Sequence, residues 1–193
     1  EQPDVLVALS PKLHTGPKQR CKNFEGSPPV KGPYNRMLLS GPHGYAAASG
    51  PFHPVSGEAV KRSIRDQTKR VIDNTKVALS GLDLDFDEHV IRTLISLRDM
   101  DQFQQMNEVY ENMISFPYPV RAVVNASEII GDSDVQMLVE ATTVPKRERE
   151  YFHHVRYAPE VLGPYSPLVR TDAHIDLAGQ LPLNSQNRLD GTG

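Results

Sequence analysis

The chain carries one short stretch of sequence twice, about one domain length apart. Residues 27–34 read SPPVKGPY and residues 158–165 read APEVLGPY, an offset of 131 positions. Each stretch is followed by apolar residues and then by a small residue and a glycine, at positions 49–50 and 178–179. Self-similarity at this spacing is typical of tandem domains rather than of a short-period solenoid. Only the first stretch has room for a whole domain before the sequence ends.

The repeat predicts four segments. Residues 1–26 are expected to be an extended arm or linker, and residues 27–144 a complete domain. Residues 145–156 are expected to be a charged, exposed linker, because KREREYFHHVR has no apolar face. Residues 157–193 would be the opening hairpin of a partial second domain. Since the sequence also starts at a residue other than Met, we expect a piece of a larger protein.

Composition narrows the classes of partner. A net charge of −3 lacks the basic excess of a nucleic-acid-binding surface, so it argues against nucleic acid as a ligand. No apolar run approaches the roughly 18–20 residues that a membrane span needs. The single Cys21 excludes an intrachain disulfide framework. Together with the lack of a signal-peptide pattern, it predicts a cytoplasmic protein without a membrane partner.

Apolar periodicity predicts an α+β fold. The spacing is helical over residues 63–80 and 100–114, whereas β-branched and apolar runs predict strands. The predicted strands cover residues 44–50, 89–97, 120–127 and 135–144. Helices that each have one apolar stripe pack on one face of a single sheet.

Several separated strings together resemble the Rid/YjgF family of reactive-intermediate deaminases. GPYNRML, ASGPFHPVSGEAV, DQTKRVIDNTKVAL, SLRDMDQFQQMNEVYENMI, FPYPVRAVVNAS and QMLVEATTV occur in this order between about Ser27 and Val144. The most specific part is DMDQF…MNEVY followed by PVR. The later string YAPEVLGPYSPLVRTDAHIDLAGQLPL resembles the opening hairpin of the same family.

The resemblance implies a mixed six-stranded sheet with two helices on one face. It also implies homotrimers, or a tandem-domain assembly, with ligand pockets in the clefts between subunits. Members of the family hydrolyse enamines and imines to a keto acid and ammonia, and they need no cofactor or metal. The expected partner is therefore a small 2-imino or 2-keto carboxylic acid.

Arg121 and Glu140 are the predicted catalytic residues. Arg121 lies in an apolar strand, and its planar guanidinium could bind a substrate carboxylate through two hydrogen bonds. Glu140 also lies in an apolar strand, where partial burial would raise the pKa of a carboxylate and suit it to orient water and move protons. The alternative for each residue is a structural ion pair.

Tyr34, Ser49 and Gly50 are predicted to bind substrate beside Arg121. Tyr34 would contribute a hydroxyl and a ring wall, although Gly-Pro-Tyr alone is also typical of a turn with a packed aromatic. The Ser49-Gly50 step could place backbone donors close to a ligand, because glycine has no side chain. It is followed by Pro51, which has no N–H to donate, where the family commonly has Gln.

Two further departures from the family pattern surround the arginine. Ala122 stands where active members usually have a small polar residue, and Asn125 stands where an acidic residue is common. These differences keep a second function open, namely a non-catalytic Rid-like module of a larger protein. Tandem Rid-like domains are similar to the C-terminal half of eukaryotic diphthine–ammonia ligases, whose ATP-dependent domain comes earlier; this chain contains no P-loop motif. The lack of a basic patch interleaved with aromatic residues argues against a third function, RNA cleavage.

Overall fold

The fold is described from a computed structural model that covers residues 16–30, 32–154, 159–172, 174–184, 186 and 188. The strands are β1 (Lys18–Cys21), β2 (Met37–Ser40), β3 (His43–Ala46), β4 (Val90–Leu97), β5 (Val120–Asn125), β6 (Val135–Thr142), β7 (Glu150–Phe152), β8 (Leu168–Arg170) and β9 (Ile175–Leu177). The helices are α1 (Ile64–Ser80), α2 (Phe86–His89) and α3 (Phe103–Met113). Short 3-10 turns occupy Met100–Gln102 and Lys146–Glu148.

Helix α1 begins and ends where the sequence predicts. The Ser63 side chain accepts a hydrogen bond from the backbone N–H of Asp66 at 3.2 Å, and Asp66 puts a negative charge in the first turn. At the other end, the N–H of Gly81 donates to the carbonyl of Leu79. The apolar stripe of α1, which includes Val71, is buried in the main core. Amphipathic periodicity therefore orients this helix on the sheet.

The first sheet has six strands in the order β1–β2–β3–β6–β4–β5. Strands β4 and β5 are parallel, and the other neighbours are antiparallel. Helices α1 and α3 pack against each other and cover one face. The predicted α+β class, with a mixed six-stranded sheet and two helices on one face, is confirmed. The short helix α2 was not predicted, because four residues carry no readable periodicity.

The three C-terminal strands form a second sheet in the order β7–β8–β9. Leu168 of β8 pairs with Phe152 of β7 and with Leu177 of β9. At the 131-residue offset of the repeat, these three residues correspond to Met37, Cys21 and Ala46. Met37 of β2 pairs in the same way with Cys21 of β1 and with Ala46 of β3. The C-terminal sheet thus has the same strand order and the same register as the first half of the six-stranded sheet.

The segments expected to be an arm and a linker contain ordered elements. Strand β1 lies within residues 1–26, and strand β7 lies within residues 145–156. Arg149 was expected to be exposed with its charged neighbours, but it is 6% exposed. Its guanidinium donates to the carbonyl oxygens of Val144 and Glu88, so carbonyls just after β6 and within α2 account for its burial.

The described residues contain neither a membrane-spanning helix nor a cluster suited to a metal ion. No helix among them is long and apolar enough to cross a membrane. No group of three or more of their His, Cys, Asp and Glu side chains has the arrangement of a metal site. The ring of His153 instead stacks on that of Tyr151, with centroids 6.5 Å apart.

Candidate functional site

Arg121 lies in β5 on the face of the sheet that the helices cover. It pairs with Thr93 of β4, and residues paired across neighbouring strands share a face. The Thr93 hydroxyl oxygen lies 3.0 Å from the Tyr110 hydroxyl of α3, which places both strand residues on the helix side. In this position Arg121 is only 4% exposed.

Three aromatic rings surround the guanidinium group. Its central carbon lies 4.8 Å from the ring centre of Tyr110, 5.5 Å from that of Tyr165 and 6.0 Å from that of Phe103. Aromatic faces carry partial negative charge, so these contacts favour the cation. Tyr165 belongs to the C-terminal segment, by which we mean residues 159–172 and 174–184. Both this segment and the six-stranded part of the chain therefore contribute to the site.

Arg121 has no ion pair with a carboxylate of the described residues. Its Nη1 atom is buried and has no hydrogen-bond partner among them. Burial lowers the pKa of Arg121, and the nearby Tyr110 and Tyr165 partly oppose that shift. A buried cation without an anionic partner costs free energy. Among the described residues Arg121 is therefore not half of a structural ion pair, and its role in binding an anion stays a prediction.

The C-terminal segment is fastened to the open edge of β5 by backbone hydrogen bonds. The N–H of Gly179 donates to the carbonyl of Arg121 at 3.0 Å. The N–H of Ser166 donates to the carbonyl of Pro119 at 3.1 Å. These two bonds hold the segment against the strand that carries the arginine.

The second Gly-Pro-Tyr triplet fits closely around the same guanidinium. Gly163 has a φ of 154°, and a Cβ at this position would lie 2.9 Å from Nη2 of Arg121. The same Cβ would lie 3.2 Å from the amide of Asn107 in α3. Glycine is therefore required here by close approach, and it lets Tyr165 reach the arginine.

An open cavity of roughly 520 Å³ lies between β5 and the C-terminal segment, and Arg121 contributes to its wall. The edge of β5 lines it with Ala122 and Val123, and apolar residues of the C-terminal segment face them. Two charged side chains line it among the described residues, Arg121 and the exposed Glu160. A cavity of this size with one cationic group suits a small organic anion that has an apolar body.

Glu140 lies on the other face of the sheet. It pairs with Arg92 of β4, whereas Arg121 pairs with the next residue, Thr93, whose side chain points to the opposite side. Glu140 lines a different cavity of roughly 270 Å³. The structure does not bring Arg121 and Glu140 together within one chain. The catalytic role of Glu140 stays a prediction.

The cavity around Glu140 is a polar junction between the two sheets. Arg92 of β4 forms an ion pair with Asp176 of β9 at 2.9 Å, and Asp176 is 5% exposed. His174 Nε2 lies 3.4 Å from the other carboxylate oxygen of Asp176. Burial, and then the charge of Glu140, raises the pKa of Tyr45. Charge pairing thus helps to hold the C-terminal sheet on the face opposite the helices.

The three predicted substrate-binding residues of the N-terminal part lie away from Arg121. Tyr34 is 47% exposed. The backbone of Ser49 pairs with that of Met137, with the N–H of Ser49 donating at 2.7 Å. The carbonyl of Gly50 accepts a hydrogen bond from the Asn74 amide at 3.0 Å. None of the three lines the Arg121 cavity, and their roles as ligand-binding residues stay predictions.

Their counterparts in the repeated stretch occupy that cavity instead. Tyr165, the repeat of Tyr34 at the 131-residue offset, lines it. Gly179 also lines it, and it belongs to the small-residue–glycine step that corresponds to Ser49-Gly50 at a slightly shorter offset of 129 residues. The sequence contains a signal for this arrangement, because Gly-Pro-Tyr occurs in both copies of the repeat. Only the structure shows that the second copy packs against Arg121, the arginine of the first domain.

Comparison with known proteins identifies the family. The family described as endoribonuclease L-PSP matches residues 24–144. The chain belongs to this family. It is also called the Rid/YjgF family, as the sequence strings predicted.

Individual members of the family match over most of their own length. A RutC family protein of Pyrococcus horikoshii is 34% identical over 117 residues, which is 61% of this chain and 90% of that protein. Reactive Intermediate Deaminase A of the Arabidopsis thaliana chloroplast is 25% identical over 65% of this chain and 66% of its own. Escherichia coli TdcF, solved with bound serine, has the same fold with a TM-score of 0.59 and 21% identity, over 64% of this chain and 98% of that one.

Two positions where this Rid/YjgF chain departs from the expected pattern lie in defined contacts. A Cβ on Gly179 would lie 2.9 Å from the Cβ of Ala122 and 3.3 Å from its Cα, so the glycine is what lets the C-terminal segment approach the strand at residue 122. Asn125 donates its side-chain N–H groups to the carbonyls of Leu97 and Arg98, at 3.3 and 3.0 Å. It fastens the end of β5 to β4.

Asn107 is a candidate site residue that the sequence analysis did not single out. It lies in the MNEVY string of α3 and is 7% exposed. Its Oδ1 atom is buried without a hydrogen-bond partner among the described residues. A polar side chain on the apolar stripe of a helix was the available signal, but only the structure shows that it lies next to the second Gly-Pro-Tyr.

Proposed function

We propose that the chain hydrolyses reactive 2-imino and enamino acids to 2-oxo acids and ammonia at the Arg121 cavity. The observation that carries the proposal is a buried guanidinium, without an anionic partner among the described residues, on the wall of an open cavity. A substrate carboxylate would supply the missing negative charge and accept two parallel N–H bonds. Membership of the Rid/YjgF family and likeness to a reactive intermediate deaminase support this reaction class.

The reaction needs positioning more than strong chemical assistance. With its carboxylate on Arg121, the imine carbon would be held at a fixed place in the cavity. Water adds across the C=N bond, which gives a carbon that bears a hydroxyl and an amino group. The hydroxyl proton then passes to nitrogen, the C–N bond breaks, and ammonia leaves as the C=O bond forms. Fixing the substrate relative to the attacking water lowers the entropic part of the barrier.

Glu160 is the carboxylate that we assign to water and proton handling in this cavity. Among the described residues that line this cavity, Glu160 is the one with a carboxylate side chain, whereas Glu140 lies on the opposite face of the sheet. A rim carboxylate can hold a water molecule and pass protons to the leaving nitrogen. The role predicted for Glu140 is a separate proposal, and substitutions of the two residues distinguish them.

We further infer that the C-terminal sheet is the opening part of a second domain of the same family. The shared strand order and register support this, as does the return of Gly-Pro-Tyr at the Arg121 cavity. The tandem arrangement would then supply within one chain the wall that a neighbouring subunit supplies in a homotrimer.

A second candidate function is a non-catalytic module that binds a carboxylate ligand within a larger, diphthine–ammonia ligase-like protein. The observation that favours it is the separation of Glu140 from Arg121. Such a module would bind 2-oxo acids and would not accelerate imine hydrolysis.

The test is ammonia release from 2-imino acids generated in solution, with and without the chain. We expect Arg121→Met to lower kcat/KM at least about 100-fold, because charged hydrogen bonds worth about 1.5–3 kcal/mol each are lost. Thermal stability should be kept or raised, since an unpaired buried charge is removed. The control is Arg170→Met, which removes a half-exposed partner of Glu150. Wild-type acceleration that survives in Arg121→Met would contradict the proposal.

A further inference from the structure

Most of the residues that line the Arg121 cavity are apolar. Leu181, Leu162, Val124 and Met100 line it and are 64%, 48%, 43% and 41% exposed. Large apolar side chains that remain exposed together around one cavity indicate a surface that a ligand covers. A methyl-sized substrate side chain would leave most of this surface in water.

The wall of the cavity is polar at Arg121 and apolar along the strand that follows it. Arg121 is the cation that lines it among the described residues, and it would take the carboxylate. From there the edge of β5 continues with Ala122, Val123 and Val124, which carry no hydrogen-bonding side chain. A ligand held by its carboxylate would therefore extend its side chain along an apolar wall.

We infer that this cavity selects 2-imino acids with a large apolar side chain, branched or aromatic, over those with a methyl group. The inference rests on the proposed function, because it concerns the substrate of the same site. Each methylene removed from water contributes about fourfold to affinity. For example, 2-imino-4-methylpentanoate has three more carbon atoms than 2-iminopropionate. Because the cavity is open, part of that gain is lost, and we expect a preference of at least about tenfold.

Leu181 is the residue that we assign to this selectivity. It comes from the C-terminal segment, two positions after the Gly179 that fastens this segment to β5. Its side chain is 64% exposed, so shortening it should disturb the core little. Leu177 of β9 is a matched control, since it is 58% exposed and does not line the cavity.

The test compares kcat/KM for 2-imino-4-methylpentanoate and 2-iminopropionate in the wild type, Leu181→Ser and Leu177→Ser. We expect a wild-type preference of at least about tenfold for the larger substrate. Leu181→Ser should reduce that preference about threefold or more, through a higher KM for the larger substrate alone. Leu177→Ser should leave it unchanged. Equal rates for the two substrates, or a preference for the smaller one, would overturn the inference.

Calorimetric binding of the two product 2-oxo acids separates this inference from the proposed function. Tighter binding of 4-methyl-2-oxopentanoate than of pyruvate, weakened by Leu181→Ser, would support the selectivity even if no imine were hydrolysed. In that case the proposed hydrolysis alone would fail. Hydrolysis of both imines, with equal binding of both 2-oxo acids, would support the function and overturn the selectivity.

Discussion

At the scale of single residues, the candidate site is defined by one arginine that is buried without a carboxylate partner among the described residues. A guanidinium that is 4% exposed normally has a carboxylate beside it, and within the described part of the chain Arg121 has three aromatic rings instead. Rings offset part of the desolvation but accept no strong hydrogen bond in the guanidinium plane. The remaining N–H groups are therefore available to a carboxylate ligand, which makes the residue suited to binding rather than to stability.

The two candidate carboxylates can be compared directly by isosteric substitution. We expect Glu160→Gln to lower kcat for 2-imino acids about tenfold, because the group that handles protons at the cavity rim is lost. Glu140→Gln should change kcat by less than about twofold, since Glu140 lies on the other face of the sheet. Steady-state ammonia release at neutral pH measures both. The reverse result would restore Glu140 as the catalytic carboxylate and remove Glu160.

At the scale of elements, the turn between β5 and β6 is held by charge as well as by backbone geometry. Gly131 and Asp132 have positive φ angles of 74° and 55°. Asp132 forms ion pairs with Lys61 at 3.0 Å and Arg98 at 2.7 Å. Hydrogen bonds from these two cations, Arg98 first, lower the pKa of Asp132 to about 2. The turn thereby connects β5 to the N-terminal end of α1 and to the end of β4.

The lowered pKa of Asp132 makes the contribution of this turn depend on pH. A depressed carboxyl pKa stabilises the fold above the unfolded value of 3.8, and the contribution is lost as pH falls towards about 2. Asp132→Asn keeps a residue that tolerates positive φ, so it should lower the urea midpoint clearly at pH 7 and much less at pH 2, where the carboxyl is protonated in the unfolded state and about half protonated in the folded state. Asp83→Asn, at φ 57°, is the control without these ion pairs. An equal loss at both pH values would assign the effect to backbone strain.

At the scale of the whole molecule, the site exists because the C-terminal sheet packs on the six-stranded sheet. Val120 of β5 contacts Val169 and Ala178 in a small apolar cluster. The ion pair between Arg92 and Asp176 lies beside this cluster, on the face opposite the helices. The same docking brings Tyr165 to Arg121, so contacts on one face of the sheet assemble a cavity at its edge.

Loosening this docking should affect the cavity without unfolding the six-stranded sheet. Asp176→Asn leaves Arg92 without its buried partner, and we expect a local cost of about 1–3 kcal/mol. Amide hydrogen exchange should become faster between residues 166 and 179, and kcat/KM should fall. Exchange in α1 and β4 should not change. Glu150→Gln, in a half-exposed pair with Arg170, is the control and should have little effect. Faster exchange throughout the chain would show that docking and global folding are coupled.

The sequence by itself determined the two long helices, strands β3 to β6 and the family. Ser63, Gly81 and the apolar stripe between them define α1 through local capping and periodicity, which act over a few residues. The strings around Arg121 identified the family, and the 131-residue offset of the sequence repeat is also the offset between the strand registers of the two sheets. These features are local or repetitive, so they can be read along the chain.

The tertiary structure alone decided which residues share the site. Arg121 and Glu140 both lie in apolar strands, but strand register places them on opposite faces, since a shift of one residue reverses the side. Arg149 looked solvated within its charged run, but carbonyls from two distant elements bury it. Tyr165 reaches Arg121 because the C-terminal sheet docks on β5, a contact between residues 44 positions apart. Register and docking depend on long-range packing, which no local pattern in the sequence encodes.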